Sequence, residues 1–172
     1  AATKASQWSE KGNIQGIYFL PGLDADPVWG DLEIAGWKKG LNLRLEALFN
    51  LVKVLPEKTF IITATRMGGL FGLINPANPM GGVVSGFTKA LAREHNEALI
   101  KTIDFEENVT PSIIASRLIE ETLHDSAVSE VGWEDDLRYT VAVMEQENER
   151  ETHPLDVSSI FLISGGTAGV VA

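Results

Sequence analysis

The order of apolar segments along this chain predicts an α/β fold: a Rossmann-like, doubly wound and mostly parallel sheet with a terminal hairpin. Three observations carry that prediction. Strand-length apolar runs at 14–20, 58–65 and 98–106 alternate with segments of helical spacing, an order that favours parallel strands with helices on both faces. Two shorter strand candidates then follow one another across the acidic turn Glu134-Asp135-Asp136, as a hairpin does. A length of 172 residues at 44% hydrophobic composition suffices for one core, so a single globular domain is expected.

Each element has its own reason. Ile17, Tyr18, Phe19 and Leu20 form a continuous apolar run, which suits a strand covered on both faces. The loop PGLDADPVWG follows. Between about Asp31 and Leu55, Leu41, Leu45, Leu48, Phe49 and Val52 recur at helical spacing, with Gly36 and Gly40 weakening the first part. KTFIITAT, residues 58–65, reads as a second strand, and GGLFGLINPANPM as a long glycine and proline loop. A helix is expected over 81–95 and a third strand over 98–106. In PSIIASRLIEETLHD, Thr110 reads as the cap and Pro111 as the first helical residue, with Ile114, Leu118 and Ile119 on one face. The hairpin strands are expected near 129–133 and 137–144. Residues 146–158 read as an acidic linker, and Ile160 to Ile163 as the strand of a new unit.

Composition excludes several functions. The formal net charge of −10 and the absence of clustered Lys and Arg argue against nucleic acid or an anionic membrane surface as partner. With no cysteine there is no disulfide and no thiolate metal site, which fits a reducing cytoplasm, the expected location. His95, His124 and His153 lie far apart, so no metal site is expected. No apolar stretch approaches the roughly 20 residues that span a bilayer, and AATKASQWSE lacks the apolar centre of a signal peptide.

The chain ends in FLISGGTAGVVA. A strand leading into Gly165, Gly166 and Gly169 allows a tight turn whose backbone N–H groups approach a pyrophosphate, though three glycines equally suit a plain strand-to-helix turn. The segments GIYFLPGLD, TFIITATRMGG, PMGGVVSGFTKALAREHNEALIKTIDFE and IFLISGGTAGVVA together resemble the ketoreductase region of type I polyketide synthases and polyunsaturated fatty acid synthases. The resemblance covers nearly the whole chain.

In that family a structural subdomain that binds no cofactor precedes a catalytic subdomain of the short-chain dehydrogenase/reductase type that binds NADPH. The resemblance implies that residues 1–145 are the structural subdomain, shortened at its N-terminus, and that 159–172 open the catalytic one. Ser164, Gly165, Gly166, Thr167, Ala168 and Gly169 would then be the cofactor turn, whose usual form is T-G-x-x-x-G-x-G. Ser164 stands in place of the Thr, Gly165 and Gly169 match, and Val171 replaces the last Gly. The implied partners are the catalytic subdomain, neighbouring synthase domains, and an acyl carrier protein whose phosphopantetheine arm bears a β-ketoacyl group.

No residue of the chain itself is expected to be catalytic. Ketone reduction of this type needs a tyrosine with a lysine four residues on, but Gly22 follows Tyr18 and Val143 follows Tyr139 at that spacing. Ser85 and Lys89, preceded by Thr63 and Thr65, are the nearest echo, and an aliphatic hydroxyl is a poor proton donor. Asp24 and Asp26 read as turn formers, Trp29 and Trp37 as packing residues, and Arg66 as one half of a salt bridge to the catalytic half. The alternative function is a freestanding Rossmann-like interaction or ligand-binding domain.

Overall fold

The computed structural model describes residues 6–7, 14–26, 33–74, 78–145 and 155–162. It divides into two units, Ala1–Val141 and Ala142–Ala172. The first holds a five-stranded sheet in the order β1 (Gly16–Gly22), β2 (Phe60–Thr65), β3 (Ile100–Phe105), β4 (Glu130–Glu134) and β5 (Leu137–Tyr139). The first four strands are parallel, and β5 returns antiparallel to β4. The parallel sheet, its helices and the hairpin agree with the sequence expectation.

Helix α1 (Ile34–Leu41) passes through a π turn (Asn42–Glu46) into α2 (Ala47–Val52), and this composite connects β1 to β2. Helix α3 (Gly81–Glu94) connects β2 to β3, and α4 (Pro111–Leu123) connects β3 to β4. Thr110 caps α4 through its side chain, with Pro111 in the first turn, as the sequence indicates.

Side chains alternate across the sheet and so divide the core in two. Phe19, Ile61 and Ile100 pack with Leu48 of α2 and with Val84 and Leu91 of α3. On the other face Ile62, Ala64, Ile103, Phe105, Val131 and Trp133 pack with Ile114 and Leu118 of α4. The strands step in one direction across the sheet, yet α4 lies on the face opposite α2 and α3. Its crossover therefore has the opposite hand to the two before it. Since parallel crossovers are right-handed in about 98% of cases, β3–α4–β4 is the exceptional left-handed one. Both faces are covered by this change of hand, without a reversal of strand order.

Four details depart from the expected pattern. A π turn interrupts the helix and buries Arg44 within it, and Phe49 is exposed although Leu48 is buried as the spacing predicts. Ile119 is exposed because it sits about 100° around the helix from Leu118. β5 ends at Tyr139 rather than near 144. Residues 155–162, in the second unit, form no strand: Asp156 closes a turn on Ser158 and Ser159, and Ile160 and Leu162 are exposed. A parallel strand needs a neighbour, and none of the described strands pairs with this stretch.

Candidate functional site

In open α/β sheets ligands bind beyond the carboxyl ends of the strands. Here β1, β2 and β3 deliver Asp24, Asp26, Arg66 and Asp104 to that edge. Asp26 and Arg44 form a buried ion pair at 2.8 Å, their side chains 4% and 5% exposed. The same Arg44 nitrogen donates to the Asp24 carbonyl. The other Asp26 oxygen accepts the Met80 N–H at 2.7 Å, at the start of α3. A carboxylate there answers the positive end of the helix. Asn78 completes the arrangement by accepting from the Asp26 N–H and donating to the Arg66 carbonyl. Asp24 and Asp26 were expected to be turn formers; Asp26 instead ties the first loop to two helices.

Asp104 is fully buried at the end of β3. Its carboxylate accepts from Thr65 Oγ1 at 2.6 Å, from the Met67 N–H at 2.7 Å and from the Phe71 N–H at 2.9 Å. Burial pushes its pKa above the ordinary value, and these hydrogen bonds oppose the shift without cancelling it. The loop after β2 is thereby wound round an internal anion, with Gly68, Gly69 and Gly72 at positive φ.

Glycine at this edge serves packing. A Cβ on Gly22 would stand 2.5 Å from the Ala64 carbonyl oxygen, so that residue allows β1 and β2 to approach where the ladder shifts register. A phosphate placed here would meet the carboxylates of Asp26 and Asp104.

Ser85 and Lys89 lie on α3 but are not assembled into a site. Ser85 Oγ donates to the Gly82 carbonyl, and Lys89 reaches Glu130 at 2.9 Å. Thr63 is engaged with Thr88. Arg66 forms no ion pair among the described residues, and its Nε is buried without a partner; the salt bridge expected of it is to the catalytic half and lies outside the described residues. Trp37 is half-buried on α1, whereas Trp29 and the whole turn Ser164, Gly165, Gly166, Thr167, Ala168 and Gly169 lie outside the described residues. No cluster of His, Asp or Glu among the described residues could hold a metal ion. Likewise no described helix is long and apolar enough to cross a membrane.

Sequence reasoning missed a second polar cluster. Lys101, in the middle of β3, is fully buried and donates to Glu121 Oε2 at 3.0 Å and to the carbonyls of Glu121, His124 and Asp125 at the end of α4. Arg138 of β5 grips the same Glu121 at 2.6 Å and reaches Asp125 at 2.9 Å. Burial alone would raise the Glu121 pKa, but the hydrogen bonds and charges of Arg138 and Lys101 prevail and hold it below the ordinary range. The available signal was one lysine inside an otherwise buried strand, a placement that requires a partner.

No family model and no curated protein matches the sequence. Among solved structures, an enzyme from Beutenbergia cavernae assigned as an NAD(P)-dependent gluconate 5-dehydrogenase, with NADP bound at low occupancy, aligns with a TM-score of 0.52 and 20% identity over 70% of this chain and 53% of its own. The chain has a Rossmann-like α/β fold. A short-chain dehydrogenase/reductase from Brucella melitensis, a glucose/ribitol dehydrogenase, aligns at 19% identity over 62% of this chain and 50% of its own, with a TM-score of 0.49. This Rossmann-fold chain thus spans about half the length of the solved structures it matches.

Proposed function

We propose that this chain is the non-catalytic structural half of an NADPH-dependent β-ketoacyl reductase in a multidomain polyketide or polyunsaturated fatty acid synthase. The observation that carries the reading is the state of the carboxyl edge. Where a reductase of this fold opens a crevice for its cofactor, Asp26, Arg44 and the Met80 amide satisfy one another, and Asp104 occupies the donors of the neighbouring loop. On α3 a serine and a lysine stand four residues apart, and each is committed to another partner. The role left to such a domain is to brace a catalytic half, which binds NADPH and reduces a β-ketoacyl group presented by an acyl carrier protein. Ser164 to Gly169 are the residues proposed to open that half's cofactor turn.

The proposal has a direct test. The purified chain, given NADPH and a β-ketoacyl thioester, is expected to show no turnover. Calorimetric titration is expected to give no NADPH affinity tighter than about millimolar, or roughly 4 kcal/mol. Micromolar binding, or turnover that disappears with Ser85→Ala, overturns the reading. In the parent synthase Gly169→Val should weaken NADPH while leaving this half folded, because a side chain would enter the space of the phosphates. Equal affinity for both forms would reduce SGGTAG to a plain turn.

A further inference from the structure

We propose that β5 is a detachable strap: it opens as a unit from a sheet that stays folded, Arg138 is its latch, and its release bares the outer edge of β4. The reason begins with what β5 lacks. Every residue from Asp135 to Val141 is exposed, and neither apolar core includes a residue beyond Trp133. Leu137 and Tyr139 are 58% and 37% exposed. Few buried apolar contacts and a solvated backbone mark the segments of a fold that open first.

What holds β5 is polar. Glu134 pairs with Leu137 and Gly132 with Tyr139, across a turn whose residues Asp135 and Asp136 both have positive φ. These pairs exchange backbone hydrogen bonds, because such a turn closes on a bonded pair and bonded pairs alternate along the ladder. Arg138 lies between them and supplies the side-chain hold. Its Nε and Nη2 grip both oxygens of Glu121 at 2.6 and 3.0 Å, and Nη2 also reaches Asp125 at 2.9 Å. The remaining ties join exposed groups: Arg117 to Asp136 at 3.4 Å, the Asp135 N–H to Glu106 at 3.3 Å, and Thr140 Oγ1 to the Glu130 carbonyl at 3.1 Å. Water competes for each of these, so they add little.

The two sides of the latch are unequal. The Arg138 side chain is 31% exposed and meets water when it lets go, whereas the Glu121 side chain is 3% exposed and keeps Lys101 as partner. Opening therefore strands no unpaired charge in the core. β4 does not follow β5, because it is held from every other side. It pairs with β3, Val131 and Trp133 pack under α4, and Gly132 lies so close to the Gly69 carbonyl that a Cβ would have no room. The open form thus presents the backbone groups of Gly132 and Glu134 at the end of an intact sheet.

The test is native-state amide exchange, followed by NMR on the full 172-residue chain. The N–H groups of Gly132, Leu137 and Tyr139 are expected to be protected about a hundredfold less than that of Ile103, and to respond little to added urea, since their opening exposes little surface. Arg138→Gln should lower their protection by about tenfold or more, and Asp125→Asn, which touches only the exposed partner, by less. Val84→Ala, in the core under α3, should lower the protection of Ile103 by about tenfold and leave these amides unchanged, because that core persists when the strap opens. An equal loss at these amides in Val84→Ala would show that β5 opens only with the whole sheet and would overturn the proposal. Unchanged protection in both latch variants, or Gly132 still protected while Leu137 and Tyr139 exchange, would overturn it as well.

Discussion

Asp104 does for its loop what water does for an exposed one. Thr65, Met67 and Phe71 all point donors at its carboxylate, and the bonds from Thr65 and Met67 are buried while that from Phe71 is partly so. Removing the acceptor leaves those donors unmatched at about 1–3 kcal/mol each, reduced where water can enter, so Asp104→Ala should lower unfolding stability by about 3 kcal/mol in urea titrations. The two buried acids have opposite pH signatures. Burial places the folded-state pKa of Asp104 above its ordinary value near 3.8, so its contribution is complete below that value and is lost as pH rises through the folded one. Arg138 and Lys101 place Glu121 below its ordinary 4.5, so its contribution is present above that value and is lost as pH falls through the folded one. Urea midpoints measured across acidic pH should therefore lose their decline on the rising side in Asp104→Asn and their decline on the falling side in Glu121→Gln. A third residue concerns backbone alone. Asp136 holds φ at 63°, a region costly to a residue with a Cβ, and Asp136→Gly should stabilise the hairpin by about 1 kcal/mol, read as a raised thermal midpoint.

Helix α4 ends without a glycine cap, and Lys101 supplies what the cap would have given. Its ammonium donates to three carbonyls of the last turn and the following residues, as well as to the Glu121 carboxylate. Lys101→Met fills a similar volume but leaves those carbonyls unmet, and should cost about 3 kcal/mol while Arg138 keeps Glu121 paired; chemical denaturation of the variant measures it. At this scale much of the fold was legible in the sequence. The strands over 60–65 and 100–105 are rich in isoleucine, threonine and phenylalanine, with two polar residues in the first and three in the second, and Thr110 with Pro111 marks the start of α4. The helix of 34–52 was legible as a helix and in most of its facing, since Leu48 and Val52 reach the core; the π turn, which leaves no mark in apolar spacing, and the burial of Arg44 inside it were not legible. The carboxyl edge was legible only in part. Asp26 stands two residues from Asp24 in a loop, which reads as turn chemistry, and its partner Arg44 is one charged residue in an amphipathic segment; only the folded chain brings them together.

Across the whole molecule, the sheet separates two cores that do not merge, one under α2 and α3 and one under α4. The reversed hand of the third crossover follows from this division, and no local pattern encodes it: handedness depends on which face a helix finally covers. Lys101 lies between these layers, in a central strand, under a helix and bound to its end. Its amine is also the chemical group that acylating reagents seek, and at 0% side-chain exposure no reagent can meet it in the folded protein. Exposed lysines such as Lys58, at 83%, react at once. The rate at which mass spectrometry finds an acyl group on Lys101 is then a clock for the opening of the sheet against α4, running at the pace of subglobal unfolding rather than of surface chemistry.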